Sequence, residues 1–133
     1  MIMVDVERLV SAWLRNRSDI QAIVADRVYT EIPNRAVFPF LRIVQIAGTP
    51  VYSNPLYLDE SYLQFDAYGG PKVQARELID TTRQALADEF VGLHPGIGVV
   101  TSVRLGDLSY LPDDGYAPPK PRYLAMASIY THP

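Results

Sequence analysis

An α+β fold, with a mainly antiparallel sheet of four to five strands and two main helices packed on one face, is what this sequence of 133 residues predicts. Apolar residues recur at helical spacing near the N-terminus and again after residue 71. They alternate at period two in the segments between and after those helices. The resulting order is helix, short helix, about three strands, helix, two strands. Hydrophobic residues make up 48% of the chain and charged ones 20%, a globular composition, and the length suits one domain spanning 1–133.

The first helix runs from about Asp5 to Asn16, with Val6, Leu9, Val10, Trp13 and Leu14 on one face. Asp5 and Glu7 at its start and Arg15 at its end suit the helix dipole, and the cluster Arg15–Arg17 reads as the solvated end of that helix. Ser18 is an N-cap candidate for a short second turn carrying Ile20, Ile23 and Val24 inward. VYTEIP predicts a short strand, NRAVFP a loop, and PFLRIVQIAGTPV a longer strand. That strand sets Leu41, Ile43 and Ala47 against Phe40, Val44 and Ile46, so both of its faces need cover. Residues 48–60 hold two prolines, a glycine and an asparagine and read as a loop or long hairpin connection. SYLQFDAY follows as a strand burying Leu63, Phe65 and Ala67.

Gly69, Gly70 and Pro71 then lead into a helix whose stripe is Ala75, Leu78, Ile79, Thr82, Leu86 and Phe90. VGLHPGIG ends that helix, and VVTSVRL and RYLAMASIYT read as the last two strands. Between them residues 106–122 carry four prolines and an Asp-Asp-Gly turn signal. A loop of that length inside a small domain usually has a function.

The chemistry-bearing residues are sparse. The chain has no cysteine, which removes disulfides, thiol catalysis and thiolate metal sites. His94 and His132 are far apart and form no ligand pair, so no metal is expected. A net charge of −3 with scattered basic residues argues against general nucleic-acid binding. No apolar run approaches the roughly 20 residues of a membrane span. The N-terminus carries acids where a secretory signal has its basic region, so cytoplasmic synthesis is expected. The Gly69–Gly70–Pro71 joint resembles a phosphate loop only in its glycines: Lys72 is followed by Val73 where a P-loop needs Ser or Thr, and no G-x-G-x-x-G is present. Backbone freedom for a sharp turn explains the glycines, and no nucleotide or other cofactor is expected. Asp107, Asp113 and Asp114 lack the spacing of a calcium loop, and no carboxylate pair suggests catalysis.

Nine tyrosines are the notable excess. Tyrosine favours interfaces because it buries a large ring and keeps a polar tip. Several sit in the proline-rich stretches, so Tyr52, Pro55, Tyr57, Tyr110, Asp113, Asp114, Tyr116, Pro118 and Pro119 are the candidate subunit or partner contacts.

The order and pattern of IQAIVADRVYTEIP, PFLRIVQIAGTPV, LQFDAYGG, the helix VQARELIDTTRQAL and the closing strands VVTSVRL and RYLAMASIYT resemble the tail terminator family of long-tailed bacteriophages. The resemblance implies a structural neck protein without enzymatic activity. It implies a ring of this chain, expected to be a hexamer, that caps the head-proximal end of the tail tube in the virion and is assembled in the host cytoplasm. Its implied partners are the tail tube protein and the head-completion or stopper protein, with DNA passing through the ring. Asp59, Glu60, Asp113 and Asp114 are then candidates for an acidic lumen that repels DNA. The alternatives are a head-completion or stopper protein and, from another class, a small-molecule-binding or enzymatic domain with a pocket gathering Asp66, Arg42 and Tyr68.

Overall fold

A computed structural model describes residues 3–51 and 58–133. The elements are α1 (Val6–Arg15), α2 (Ser18–Val24), β1 (Val28–Tyr29), β2 (Phe40–Val51), β3 (Leu58–Tyr68), α3 (Lys72–Glu89), β4 (Gly92–His94), β5 (Gly98–Tyr110) and β6 (Arg122–His132). The six strands form one sheet in the order β1-β2-β3-β6-β5-β4. The class is α+β as expected, but two details differ. Among the described residues the sheet has six strands rather than four or five, and it is mixed, because β1 runs parallel to β2. The helices among the described residues number three, the second being one short piece.

The core forms where the helices meet one face of the sheet. Leu41 and Ile43 of β2, Leu63, Phe65 and Ala67 of β3, and Ala125, Ala127 and Ile129 of β6 point into it by strand alternation. Val6, Leu9, Val10 and Leu14 of α1, Ile20 and Val24 of α2, and Ala75, Leu78, Ile79 and Leu86 of α3 meet them. Asp5 caps α1, its carboxylate accepting the Arg8 amide at 3.2 Å. The N-cap of α2 is Arg17 and not Ser18, which is already helical. Arg15 at the end of α1 and Arg17 just beyond it are also less solvated than expected. Arg15 donates to the Val28 carbonyl at 2.6 Å, while Arg17 pairs with Asp19 and Glu89 and lies 4.8 Å over the Trp13 ring. Arg17 thereby ties the α1–α2 corner to the end of α3.

Strand runs further than expected into two connecting stretches: 48–60, expected as a loop or long hairpin connection, is the end of a hairpin, and the start of 106–122, expected as a loop, is strand. β2 runs to Val51 and β3 starts at Leu58, leaving only residues 52–57 between them. Likewise β5 continues to Tyr110 through a register shift between Leu105 and Leu108, so the connection shrinks to residues 111–121. Gly106 permits that shift, since a Cβ there would lie 3.2 Å from the Met126 Cβ.

The Gly69 joint answers to space rather than to dihedral freedom. A Cβ on Gly69 would lie 2.5 Å from the Ala75 amide and 2.6 Å from the Pro71 carbonyl, where the first turn of α3 presses on the end of β3. Pro71 stands at the N-cap, one position before the helix proper. Gly69→Ala must therefore push α3 away from the sheet, and we expect a loss of about 1–3 kcal/mol on chemical denaturation. Gly70→Ala, whose Cβ would find its nearest neighbour at 3.6 Å, is the control expected to cost less.

Candidate functional site

The sheet face away from the helices carries its own buried structure. Phe40 and Tyr68 are opposite one another on β2 and β3, stacked with ring centroids 4.5 Å apart, and are 0% and 2% exposed. Phe38 packs beside both, at 5.1 Å and 6.1 Å, and Tyr29 lies 5.8 Å from Phe40. Over this cluster folds the 111–121 connection. Asp113 and Lys120 exchange backbone hydrogen bonds of 2.9 and 3.2 Å, closing it into a small hairpin. Tyr116 sets its ring edge-on against Phe38 at 5.4 Å, and the Lys120 ammonium lies 5.0 Å from the Phe38 ring.

The Tyr68 hydroxyl fastens this hairpin. It donates to Asp113 Oδ2 at 2.8 Å and accepts from Arg122 Nη1 at 3.3 Å. Asp113 also accepts the Gly115 amide at 2.9 Å, and that bond, with the Tyr68 hydroxyl and the charge of Arg122, holds its carboxyl below the usual range. Burial, reinforced by the hydrogen bond to Asp113, pushes the Tyr68 phenol up to about 12 from its ordinary 10. The linkage follows from these directions. Tyr68 contributes stability that is whole below pH 10 and is lost as pH rises through about 12. Asp113 contributes stability that is lost only as pH falls below its ordinary 3.8. Denaturation curves compared with Tyr68→Phe should show the alkaline fall between those pH values reduced in the variant. Identical alkaline slopes would remove Tyr68 as the cause.

Further along the same face, Asp66 is 0% exposed, and Arg42 reaches it with Nη2 at 2.6 Å and Nε at 2.9 Å. Gln64 donates to its other oxygen at 2.7 Å. Asp66, Arg42 and Tyr68, the set a binding pocket would need to gather, are thus committed to other partners: the first two to each other, the third to the 111–121 hairpin.

The remaining predicted contact residues divide in two. Tyr110 ends β5, 39% exposed, its ring 4.9 Å from Tyr123 and under the Lys72 ammonium at 4.2 Å. Asp114, Pro118 and Pro119 are exposed on the 111–121 hairpin, whereas Asp113 and Tyr116 turn inward as described. Asp59 and Glu60 lie at the opposite end of β3, Glu60 accepting from the Tyr130 hydroxyl at 3.0 Å. The four acids are therefore separated along the length of the sheet. Tyr52, Pro55 and Tyr57 fall outside the described residues.

One feature has no counterpart among the sequence expectations. Two cavities of about 340 and 580 Å³ share Leu9, Ala12 and Ile97 and join into a groove between α1 and the β4–β5 turn. The turn is shaped by Gly96 at φ 76°, a conformation that suits glycine. Ile97 is 52% exposed there, and Leu93 on β4 is 70% exposed. The sequence signal was the run VGLHPG, which places apolar residues between glycines; as a helix terminator it hid a hairpin.

Comparisons with known proteins agree with a phage tail. A chain in the solved structure of the virion of a native gene transfer agent (GTA) particle superposes with a TM-score of 0.71, covering 93% of this chain and 92% of that one at 12% identity. At that identity the likeness establishes the fold. No curated protein sequence matches the chain. The family model for tail completion protein gp17 matches residues 8–115, most of the chain, and the chain belongs to that family of structural bacteriophage tail proteins.

Proposed function

We propose that the chain is the ring-forming subunit, in six copies, that caps the head-proximal end of the phage tail tube, ends tube growth and joins the tail to the head. The observation that carries this reading is the family match across residues 8–115. The fold shared with a chain of a virion particle supports it. A closed ring uses a heterologous contact, so each subunit needs two different surfaces. The ends of the β2–β3 and β5–β6 hairpins, with Asp114, Pro118 and Pro119 exposed on the second, supply candidates. Tail tube protein on one side, a head-completion or stopper protein on the other, and DNA through the middle complete the arrangement. Glu60 and Asp114 are offered to the lumen; Asp113 contributes less because Arg122 lies 3.8 Å away, and Asp59 less because it stands beside the end of the β2–β3 hairpin, a candidate contact between copies. A ring structure with these acids on its outer wall would remove that assignment.

The test is to label intact particles, head-free tails and tailless heads with an antibody fragment against the chain and to image them by negative-stain electron microscopy. Label at the head-proximal end of the tails is the expected result. Label confined to tailless heads would overturn the tail-capping role in favour of a stopper, and no label on any particle would overturn the neck assignment.

A further inference from the structure

The ring reading leaves open which surfaces meet, and the groove beside α1 supplies one of them. We infer that this groove is the acceptor for the end of the β2–β3 hairpin of the neighbouring copy. The inference rests on the ring reading and goes beyond it by naming donor and acceptor.

Register puts both parts at the same height. Asp59, at the base of the hairpin end, pairs with Thr131; Thr131 pairs with Val100; Val100 pairs with Gly92, at the start of the β4–β5 hairpin that walls the groove. Strand order puts them on opposite flanks, since β2 and β3 lie toward one edge of the sheet and β5 and β4 at the other. A rotation that repeats sideways at constant height therefore carries the hairpin of one copy to the groove of the next, as a head-to-tail ring requires.

The chemistry matches as well. Between Val51 and Leu58 the sequence is Tyr-Ser-Asn-Pro-Leu-Tyr, with two aromatic rings, a leucine, a proline and no charge. The groove presents Leu9, Ala12 and Ile97 to it. Asp59 beside the hairpin end and Arg8 on the groove rim have opposite charges, and neither has an ion-pair partner among the described residues. Placed together across the contact they attract, which sets its register more than its strength.

Because the chain has no cysteine, the contact can be trapped without background. Ala12→Cys in the groove is mixed with Pro55→Cys, Leu56→Cys or Tyr57→Cys on separate chains, each mixture is assembled on head-free tails, and disulfides are read on non-reducing gels. A linked dimer is expected only in mixtures, and a chain carrying both substitutions is expected to give a ladder. Ile97→Asp, at an exposed position, is expected to keep the fold and to lower ring occupancy at least about tenfold, the effect of losing one apolar anchor. Rings seen by electron microscopy with no disulfide at any of the three positions would overturn the docking and leave the ring reading standing. Tails bearing no ring of the unmodified chain would overturn that reading and this inference with it.

Discussion

Arg42→Ala is expected to lower the stability of the folded chain by about 3 kcal/mol, the lower end of the range for breaking a buried ion pair. Asp66 has no solvent exposure, and Arg42 is its only cationic partner among the described residues. Removing the guanidinium leaves a carboxylate held by Gln64 alone, and desolvation of that charge dominates over the lost attraction. Arg42 keeps 30% of its side chain exposed, so water can enter when it is truncated, which is why the lower end applies. For a chain of this size the melting temperature should fall by roughly 10 °C. The double variant Arg42→Met/Asp66→Leu removes both charges and should recover most of the loss. A double variant as unstable as the single one would show that packing, and not the stranded charge, sets the cost.

A second large effect is expected at Phe40. Phe40→Ala opens a cavity beneath Tyr68 and beside Phe38, and full truncation of a buried phenylalanine costs about 3–5 kcal/mol. Its particular consequence is remote. The 111–121 hairpin rests on Phe38 and Tyr68, so amides of Asp113, Gly115 and Lys120 should exchange hydrogen faster in the variant. Amides inside α3, on the far side of the sheet, should report only the global loss. Equal acceleration in both places would mean that the hairpin is not specifically supported by this cluster. The same dependence changes what a loop deletion can show. Removing residues 113–119 would strip Tyr116 from Phe38 and Asp113 from Tyr68, so a failure to assemble would mix folding with interface. Substitutions at exposed Asp114, Pro118 and Pro119 separate the two.

These contacts show where the sequence could be read and where it could not. Helix α3 was legible because its stripe is a local pattern: Ala75, Leu78, Ile79, Thr82, Leu86 and Phe90 are all buried. The two apolar faces of β2 were legible only in its first half: Phe40, Leu41 and Ile43 are buried, whereas Ile46 and Ala47, at the bulge, are exposed. Strand ends were not legible. Gly106 and Asp107 read as the start of the 106–122 loop, because a bulge uses residue types that loops also favour, and only pairing with β6 keeps the chain extended there. The parallel β1–β2 pair could not be inferred either, since Val28 and Leu41 meet through a connection with no regular structure. At the candidate site the residue types pointed to contact, but Tyr116 and Asp113 spend part of that capacity within their own chain. Their partners Phe38 and Tyr68 are distant in sequence. The groove was invisible for the same reason: one wall comes from residues near 10 and the other from residues near 95.

The irregularities in β2 and β5 bear on the life of a subunit before it reaches its place. β1 covers β2 only at Leu41 and Arg42, and β4 covers β5 only from Gly98 to Val100, so both flanks of the sheet leave main-chain donors and acceptors without a described strand beside them. Such margins invite pairing with any extended chain, including copies of themselves. Here each is interrupted: β2 by its bulge between Gln45 and Ala47, where the Gln45 amide is held by Glu7 at 2.7 Å, and β5 by the shifts after Val100 and Leu105. A straight template of matching hydrogen bonds is never longer than a few residues. Edge-to-edge pairing of free copies is disfavoured by these interruptions.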